Sequence, residues 1–127
     1  MTQTNYTVGD FLISLKNAAL AGKKTVEFEK TKLVGAIAES LLRLGFLAEV
    51  KEEKGQLKVT LTYSHKEPVL SDVKLISKPG LRVYWNREKI GGYKSRSVLL
   101  ISTPLGILSA KEAAKKGVGG EVIAEII

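Results

Sequence analysis

Residues 98–121 read VLLISTPLGILSAKEAAKKGVGGE, and this stretch decides how the second half of the chain folds. Its first six residues, 98–103, form a nearly continuous apolar run, which predicts a buried strand. A Leu-Gly pair then predicts a turn. Ser109 followed three residues later by Glu112 is a capping box, which predicts a short helix over 110–116 that ends at a glycine.

The residues on either side of this stretch predict further strands. Leu70–Ser77 and Leu81–Trp85 read as two strands, and the turn between them contains Pro79 and Gly80 in the order that a type II turn requires. The Gly91-Gly92 pair in 86–96 predicts a mobile loop. Glu121–Ile127 reads as the last strand. The second half is therefore predicted to be mostly antiparallel β with one short helix.

The first half predicts the order α-β-α-β-β. Thr7 caps a helix to about Leu20, and Thr31 caps a second helix whose apolar face begins at Leu33 and which stops at Gly45. Lys16 and Asn17 lie off the apolar stripe of the first helix, where solvent or a ligand can reach them. The expected strands are Thr25–Glu29, 46–51 and 56–63, the last two joined by a Lys54-Gly55 turn.

A polar segment that ends at Pro68 marks the boundary between the two halves. We therefore expect an α+β protein with two small domains, 1–64 and 65–127. The first domain has the α-β-α-β-β order, and the second is the β-rich part that carries the candidate binding residues.

Positive charge is concentrated in one segment of the chain. The 20 Lys and Arg against 13 Asp and Glu give a net charge of +7. Residues 74–96 alone hold seven Lys and Arg against Glu88, a net charge of +6. Tyr84, Trp85 and Tyr93 lie in the same segment, and cations beside flat rings favour RNA. The alternative is a solvated strand face with the aromatic rings in the core.

The composition argues against an enzyme, a metal site and a membrane protein. Cysteine is absent and His65 is the only histidine, which excludes thiolate chemistry and sites with several histidines. No apolar run approaches the ~20 residues that a bilayer span needs. The N-terminal ten residues are polar and lack a signal-peptide core. We predict no catalytic residue, no cofactor, no metal and no membrane partner.

Two segments have the chemistry to contact a phosphate backbone. The hydroxyls of Ser102 and Thr103 stand where the buried strand ends, and they can bond RNA or their own turn. Glycines at 117, 119 and 120 allow backbone N–H groups to approach a phosphate closely. The alternative is a helix stop followed by a turn, because the cluster matches neither the P-loop nor the Rossmann pattern.

Five motifs in order resemble a known family from about residue 10 to residue 127. They are FLISLKNA at 11–18, the helix between Lys32 and Phe46, ISKPG with RVY at 76–84, IST with LGIL at 101–108, and KGVGGE at 116–121. This pattern is similar to the eighth family of bacterial small-subunit ribosomal proteins. The resemblance implies a two-domain α+β protein that is a structural constituent of the small subunit in the cytoplasm.

The resemblance also implies a ligand and a set of contacts. The ligand is an irregular helix in the central domain of 16S rRNA, bound during subunit assembly. Neighbouring ribosomal proteins are further partners. Members of the family can also bind the messenger RNA of their own operon as translational repressors, which is an alternative function for this chain. Pro104 replaces the third serine of the family's Ser-Thr-Ser loop. The residues expected at RNA are Ser102, Thr103, Gly106, Gly119, Gly120, Glu121, Tyr84, Lys78 and Arg82, with Lys16, Asn17 and Lys32 as a second surface.

Two other functions remain open from the residues alone. One is a protein–protein adaptor whose basic surface meets an acidic partner. The other is a small hydrolase of phosphate or acyl groups with a basic anion pocket. RNA binding differs from the hydrolase in its steep salt dependence, whereas the adaptor would keep its partner after nuclease treatment.

Overall fold

The computed structural model describes residues 7–127, which form two compact units, Thr7–Asp72 and Val73–Ile127. The boundary therefore falls later than the one drawn after residue 64. The polar segment that suggested the earlier boundary folds back on the first unit as a two-stranded ribbon. Tyr63 pairs with Pro68 in this ribbon, and the Val69 N–H donates to the carbonyl of Thr62.

The first unit has the predicted α-β-α-β-β order, followed by the small ribbon. Its main sheet is antiparallel with the order β1-β3-β2. The turn between β2 and β3 places Lys54 at φ 51° and Gly55 at φ 78°, as a two-residue hairpin turn requires. The elements are α1 (Thr7–Leu20), β1 (Thr25–Glu29), α2 (Lys32–Arg43), β2 (Leu47–Glu53), β3 (Gln56–Leu61), β4 (Tyr63–Ser64) and β5 (Glu67–Pro68).

Helices α1 and α2 bury their apolar stripes in the first unit. Thr31 caps α2 as predicted, because its hydroxyl accepts a hydrogen bond from the Val34 N–H at 3.1 Å. Thr7 is already the first residue of α1. Leu33 is 45% exposed and does not belong to the core face. The fully buried core residues of these helices and β3 include Phe11, Leu12, Leu15, Val34, Ile37, Leu41 and Val59.

The second unit is a β-rich unit, with two short helices instead of the one expected. Its sheet is antiparallel with the order β6-β10-β8-β9, and β7 pairs with the first residues of β10. The α+β class is confirmed. The elements are β6 (Val73–Leu75), β7 (Tyr84–Trp85), α3 (Arg87–Gly91), β8 (Val98–Thr103), β9 (Gly106–Ser109), α4 (Ala110–Lys116) and β10 (Gly120–Ile126).

Strands β6 and β7 are shorter than the predicted strands 70–77 and 81–85. Between them, Lys78 and Leu81 exchange two backbone hydrogen bonds of 2.9 Å, which closes a tight turn. Gly80 takes the positive φ, 82°, that a type II turn requires. The chain meets β10 on both sides of this turn, because the Ile76 N–H donates to the Ile123 carbonyl and the Val122 N–H donates to the Val83 carbonyl.

The segment 86–96 contains helix α3, so its interpretation as a mobile loop is wrong. Asn86 caps the helix, because its side-chain oxygen accepts a hydrogen bond from the Lys89 N–H at 2.9 Å. Ile90 is only 1% exposed and anchors the helix to the core. The Gly91-Gly92 pair, which suggested a loop, stands at the C-terminal end of the helix.

Both helices of the second unit cover the same face of its sheet. Ile90 from α3 and Ala113 from α4 share one buried cluster with Ile101 of β8 and Val122 of β10. The capping box of α4 is confirmed, and the helix ends in a left-handed glycine at φ 67°. Across residues 7–127, every helix is too short or too polar to cross a lipid bilayer.

Candidate nucleic-acid interface

Three of the predicted RNA-binding residues stand side by side across the second sheet. Glu121 of β10 pairs with Tyr84 of β7 on one side and with Ser102 of β8 on the other. We call these three residues the sheet row. Their neighbours Ile101 and Val122 face α3 and α4. Because successive side chains of a strand alternate, the sheet row faces away from the helices.

The two ends of the sheet row differ in exposure. Tyr84 is 69% exposed, and its hydroxyl has no partner in the described part of the chain. Ser102 is half-buried, and within residues 7–127 its hydroxyl also makes no hydrogen bond. The sheet row therefore presents one aromatic ring and two hydroxyls that can bond a ligand.

Thr103 stabilises the turn that follows the sheet row. Its hydroxyl donates to the carbonyl of Gly106 at 2.8 Å and accepts from the Leu105 N–H at 3.1 Å. This is the local bonding that serine and threonine often adopt at turns. Pro104 and Gly106 are exposed at the same turn. Leu105, which the sequence did not single out, is 60% exposed at its tip.

The central residue of the sheet row has a charged partner. The Nη1 nitrogen of the Arg82 guanidinium lies 3.2 Å from the Oε2 carboxylate oxygen of Glu121. This pair fixes Arg82 beside the row and cancels the charge of Glu121. Lys78 is exposed in the tight turn between β6 and β7, and no ion pair holds it within residues 7–127.

Gly119 and Gly120 are required by the packing of the protein itself. A Cβ atom on Gly120 would lie 2.0 Å from the carbonyl oxygen of Ser102. One on Gly119 would lie 2.5 Å from the carbonyl oxygen of Trp85. Only glycine lets β10 approach the neighbouring backbone this closely. The close backbone approach inferred from the sequence exists, and its partner in the structure is the chain's own backbone.

The aromatic residues of the basic segment divide between the two faces. The Trp85 and Tyr93 rings lie 6.1 Å apart and pack against the buried cluster, while Tyr84 is exposed. The Lys89 ammonium lies 4.8 Å from the centre of the Trp85 ring. The core interpretation therefore holds for Trp85 and Tyr93, and the exposed interpretation holds for Tyr84.

The three candidates of the first unit lie on its helices. The Lys16 ammonium lies 3.0 Å from a carboxylate oxygen of Asp72, so this residue is not free as the helical pattern suggested. Asn17 is exposed on α1. Lys32, the first residue of α2, lines an open groove of about 250 Å³ together with Glu39. Among residues 7–127, no three His, Asp or Glu side chains form a group that could hold a metal ion.

The two units differ strongly in net charge. Residues 7–72 hold ten Lys and Arg against nine Asp and Glu, so 10 − 9 = +1. Residues 73–127 hold ten against four, so 10 − 4 = +6. A strongly basic β-rich unit with exposed hydroxyls and an exposed ring is typical of nucleic-acid-binding proteins.

Comparison with known proteins identifies the family of this chain. The model of ribosomal protein S8 matches residues 6–127. The chain belongs to the ribosomal protein S8 family. The members of this family are structural proteins of the ribosome, so the chain is not an enzyme.

Curated relatives agree over nearly the whole chain. A protein of Caldanaerobacter subterraneus subsp. tengcongensis is 45% identical over 125 residues, 91% of this chain and 92% of its own length. One from Thermoanaerobacter sp. is 43% identical, with 94% and 95% covered. One from Acinetobacter baylyi is 40% identical, with 93% and 94% covered. All three are named small ribosomal subunit protein uS8.

Proposed function

We propose that the second unit binds the central domain of 16S rRNA through the sheet row and the β8–β9 turn, and so stabilises an irregular rRNA helix during assembly. Membership of the S8 family makes the chain a structural constituent of the small ribosomal subunit, which works in the cytoplasm. Neighbouring small-subunit proteins are its further partners there.

The observation that carries the proposal is the register of the second sheet. It brings Tyr84, which is distant in sequence, to the same end of the sheet as Ser102 and the Thr103 turn. RNA is recognised through its shallow minor groove and its unpaired bases, which need hydroxyl contacts and flat rings. Tyr84 can stack on an unpaired base, and Ser102 can bond a 2′-hydroxyl or a phosphate.

The hydrogen bonds of the turn prepare this surface for binding. Both bonds of the Thr103 hydroxyl lie within the turn, so the backbone at residues 104–106 is held in one shape. A surface that is already ordered loses less conformational entropy when it binds. We therefore assign Thr103 to positioning the turn, while Ser102 and Tyr84 contact the RNA.

Lysine and arginine contacts provide most of the affinity. The net charge of +6 in residues 73–127 attracts RNA and makes binding depend on salt, because each phosphate contact releases counterions. Lys78 is exposed beside the row and contacts a phosphate in this proposal. The Arg82–Glu121 pair holds the guanidinium at the edge of the same surface.

The first unit contributes a second contact surface at Lys16, Asn17 and Lys32. The Lys16–Asp72 ion pair is about one-third exposed on both sides, so it adds little stability. A phosphate can therefore replace Asp72 as the partner of Lys16. The messenger RNA of the protein's own operon is a second ligand of the same surfaces.

A salt titration tests the proposal. The purified chain is bound to a transcript of the rRNA central domain and, in parallel, to an unrelated hairpin of the same size. We expect tighter binding to the central domain at every salt concentration, with affinity that falls steeply as salt rises. Equal affinity for both RNAs would contradict the proposal and leave only a basic protein.

A further inference from the structure

The charge of the second unit does not lie around the sheet row. Residues 86–116 hold seven Lys and Arg against two Glu, so 7 − 2 = +5. The rest of the unit, 73–85 and 117–127, holds three against two, so 3 − 2 = +1. Almost all of the positive charge is therefore carried by the helices and by the segments next to them.

The basic side chains of the helices form a second surface. Helices α3 and α4 pack against each other and on the sheet face opposite the sheet row. We call their exposed cations the helical face, and define it by Arg87, Lys89, Lys111, Lys115 and Lys116. A sheet with its side chains is about 10 Å thick, so one straight RNA helix cannot touch the row and the helical face together.

The cations of the helical face have no carboxylate partner in residues 7–127. Lys89 is held over the Trp85 ring, which orients its ammonium without neutralising it. Glu112, the acidic residue of α4, accepts the Ser109 N–H in the capping box. Like charges gathered without partners repel each other, and a bound polyanion relieves this repulsion.

The chemistry of the helical face fits RNA better than a protein. The core of a protein interface is depleted in charge and rich in large apolar residues, whereas nucleic-acid interfaces are polar and positively charged. The large exposed apolar residues of the described chain all lie outside α3 and α4. In the second unit they are Leu81, Tyr84, Leu105 and Ile127.

We propose that the helical face binds the phosphate backbone of a second rRNA segment, distinct from the irregular helix at the sheet row. The inference rests on the proposed function, because it concerns the same RNA. The second unit would then lie between two RNA segments. The hydroxyls and the tyrosine ring of the sheet row contact one segment, and the cations of the helical face contact the phosphates of the other.

Two triple variants with the same net charge test this inference. The first changes Lys111, Lys115 and Lys116 to Gln on α4. The control changes Lys54, Lys58 and Lys66 to Gln, three exposed lysines of the first unit that have no ion pair in the described chain. Glutamine removes the charge, keeps a polar side chain that is one atom shorter, and suits a helix almost as well as lysine. Circular dichroism and urea unfolding verify that both variants fold.

Each variant is titrated with salt against a short transcript of the irregular helix and against full-length 16S rRNA. With the short transcript, we expect the α4 variant to keep the wild-type slope of log affinity against log salt, because no phosphate contact is lost there. With full-length rRNA, its plot of log affinity against log salt becomes shallower by about 2 units, since three phosphate contacts are lost. The control variant keeps the wild-type slope there.

Three results would overturn the inference and spare the proposed function. They are a wild-type slope for the α4 variant on full-length rRNA, an equal loss in both variants, or a loss already present on the short transcript. Failure of the proposed function is recognised separately, because the wild-type chain would then not prefer the short transcript over an unrelated hairpin.

Discussion

Replacing Gly120 by alanine tests whether this glycine serves the fold or the RNA. The new Cβ would lie 2.0 Å from the carbonyl oxygen of Ser102 and 3.2 Å from a methyl group of Ile101. An ordinary contact between carbon and a carbonyl oxygen is about 3.3–3.6 Å. Strands β8 and β10 must therefore separate by roughly 1.3 Å at the sheet row, about a quarter of the normal strand spacing.

Such a separation costs free energy at the centre of the second unit. Overpacking a well-packed site costs about 1–3 kcal/mol, and the Gly120→Ala contact is with rigid backbone, so we expect the upper value. A loss of about 3 kcal/mol lowers the melting temperature by roughly 10 °C in a chain of this size. RNA affinity falls as well, because Ser102 moves with its strand.

The assay is urea unfolding followed by circular dichroism, with Gly91→Ala as the matched control. Gly91 ends α3, its φ is not positive, and a Cβ there meets no atom within 4 Å. The control is therefore expected to be neutral or slightly stabilising. A Gly120→Ala protein with wild-type stability and weakened RNA binding would show that Gly120 serves RNA contact and not the packing of β8 against β10.

Three further substitutions separate positioning from contact around the sheet row. Thr103→Val removes both hydrogen bonds of the turn, so we expect the free energy of unfolding, measured with urea, to fall by about 1–2 kcal/mol. Unchanged stability would mean that the turn does not depend on these bonds. Tyr84→Ala leaves stability unchanged, because the ring is 69% exposed, but weakens binding to the central-domain transcript by about 1–3 kcal/mol. Equal affinity of the two proteins would remove Tyr84 from the interface. Lys78→Ala reduces the slope of log affinity against log salt by roughly one unit, and an identical slope would place Lys78 off the RNA.

Local signals in the sequence predict most of the elements correctly. The Lys54-Gly55 turn, the Thr31 cap and the capping box at Ser109 each act within a few residues, and all are present in the structure. The final strand also forms where the pattern places it. These features depend on hydrogen bonds and φ angles that neighbouring residues determine by themselves.

Features that depend on tertiary contacts are the ones that the sequence does not reveal. Leu33 follows the apolar period of α2 but lies at the edge of the core. Helix α3 forms although Gly91 is its last residue and Gly92 its C-cap, because Ile90 anchors it to the core. The regular pairing of β6 and β7 with β10 is interrupted at Ile123, whose carbonyl accepts hydrogen bonds from the N–H groups of both Ile76 and Ser77.

The candidate site also combines residues that the sequence indicates with an arrangement that only the fold determines. Ser102, Thr103 and Tyr84 are recognised from their residue types and from the family resemblance, but their alignment across the sheet exists only through strand register. The ion pairs of Lys16 and Arg82 join residues far apart in sequence, and no local pattern indicates them. The charge count over 74–96 also leaves out Lys111, Lys115 and Lys116 of α4, which the fold places on the same side of the sheet as α3.

Photocrosslinking from the tip of the β8–β9 turn tests most directly whether this surface meets rRNA. Leu105 is 60% exposed there, so a photoreactive phenylalanine analogue in its place disturbs no buried contact. The variant is irradiated with the central-domain transcript and, as a control, with an unrelated hairpin of equal size. We expect a crosslink that maps to one irregular helix of the central domain and none to the hairpin. Equal crosslinking to both RNAs, or none to either, would contradict the proposed function.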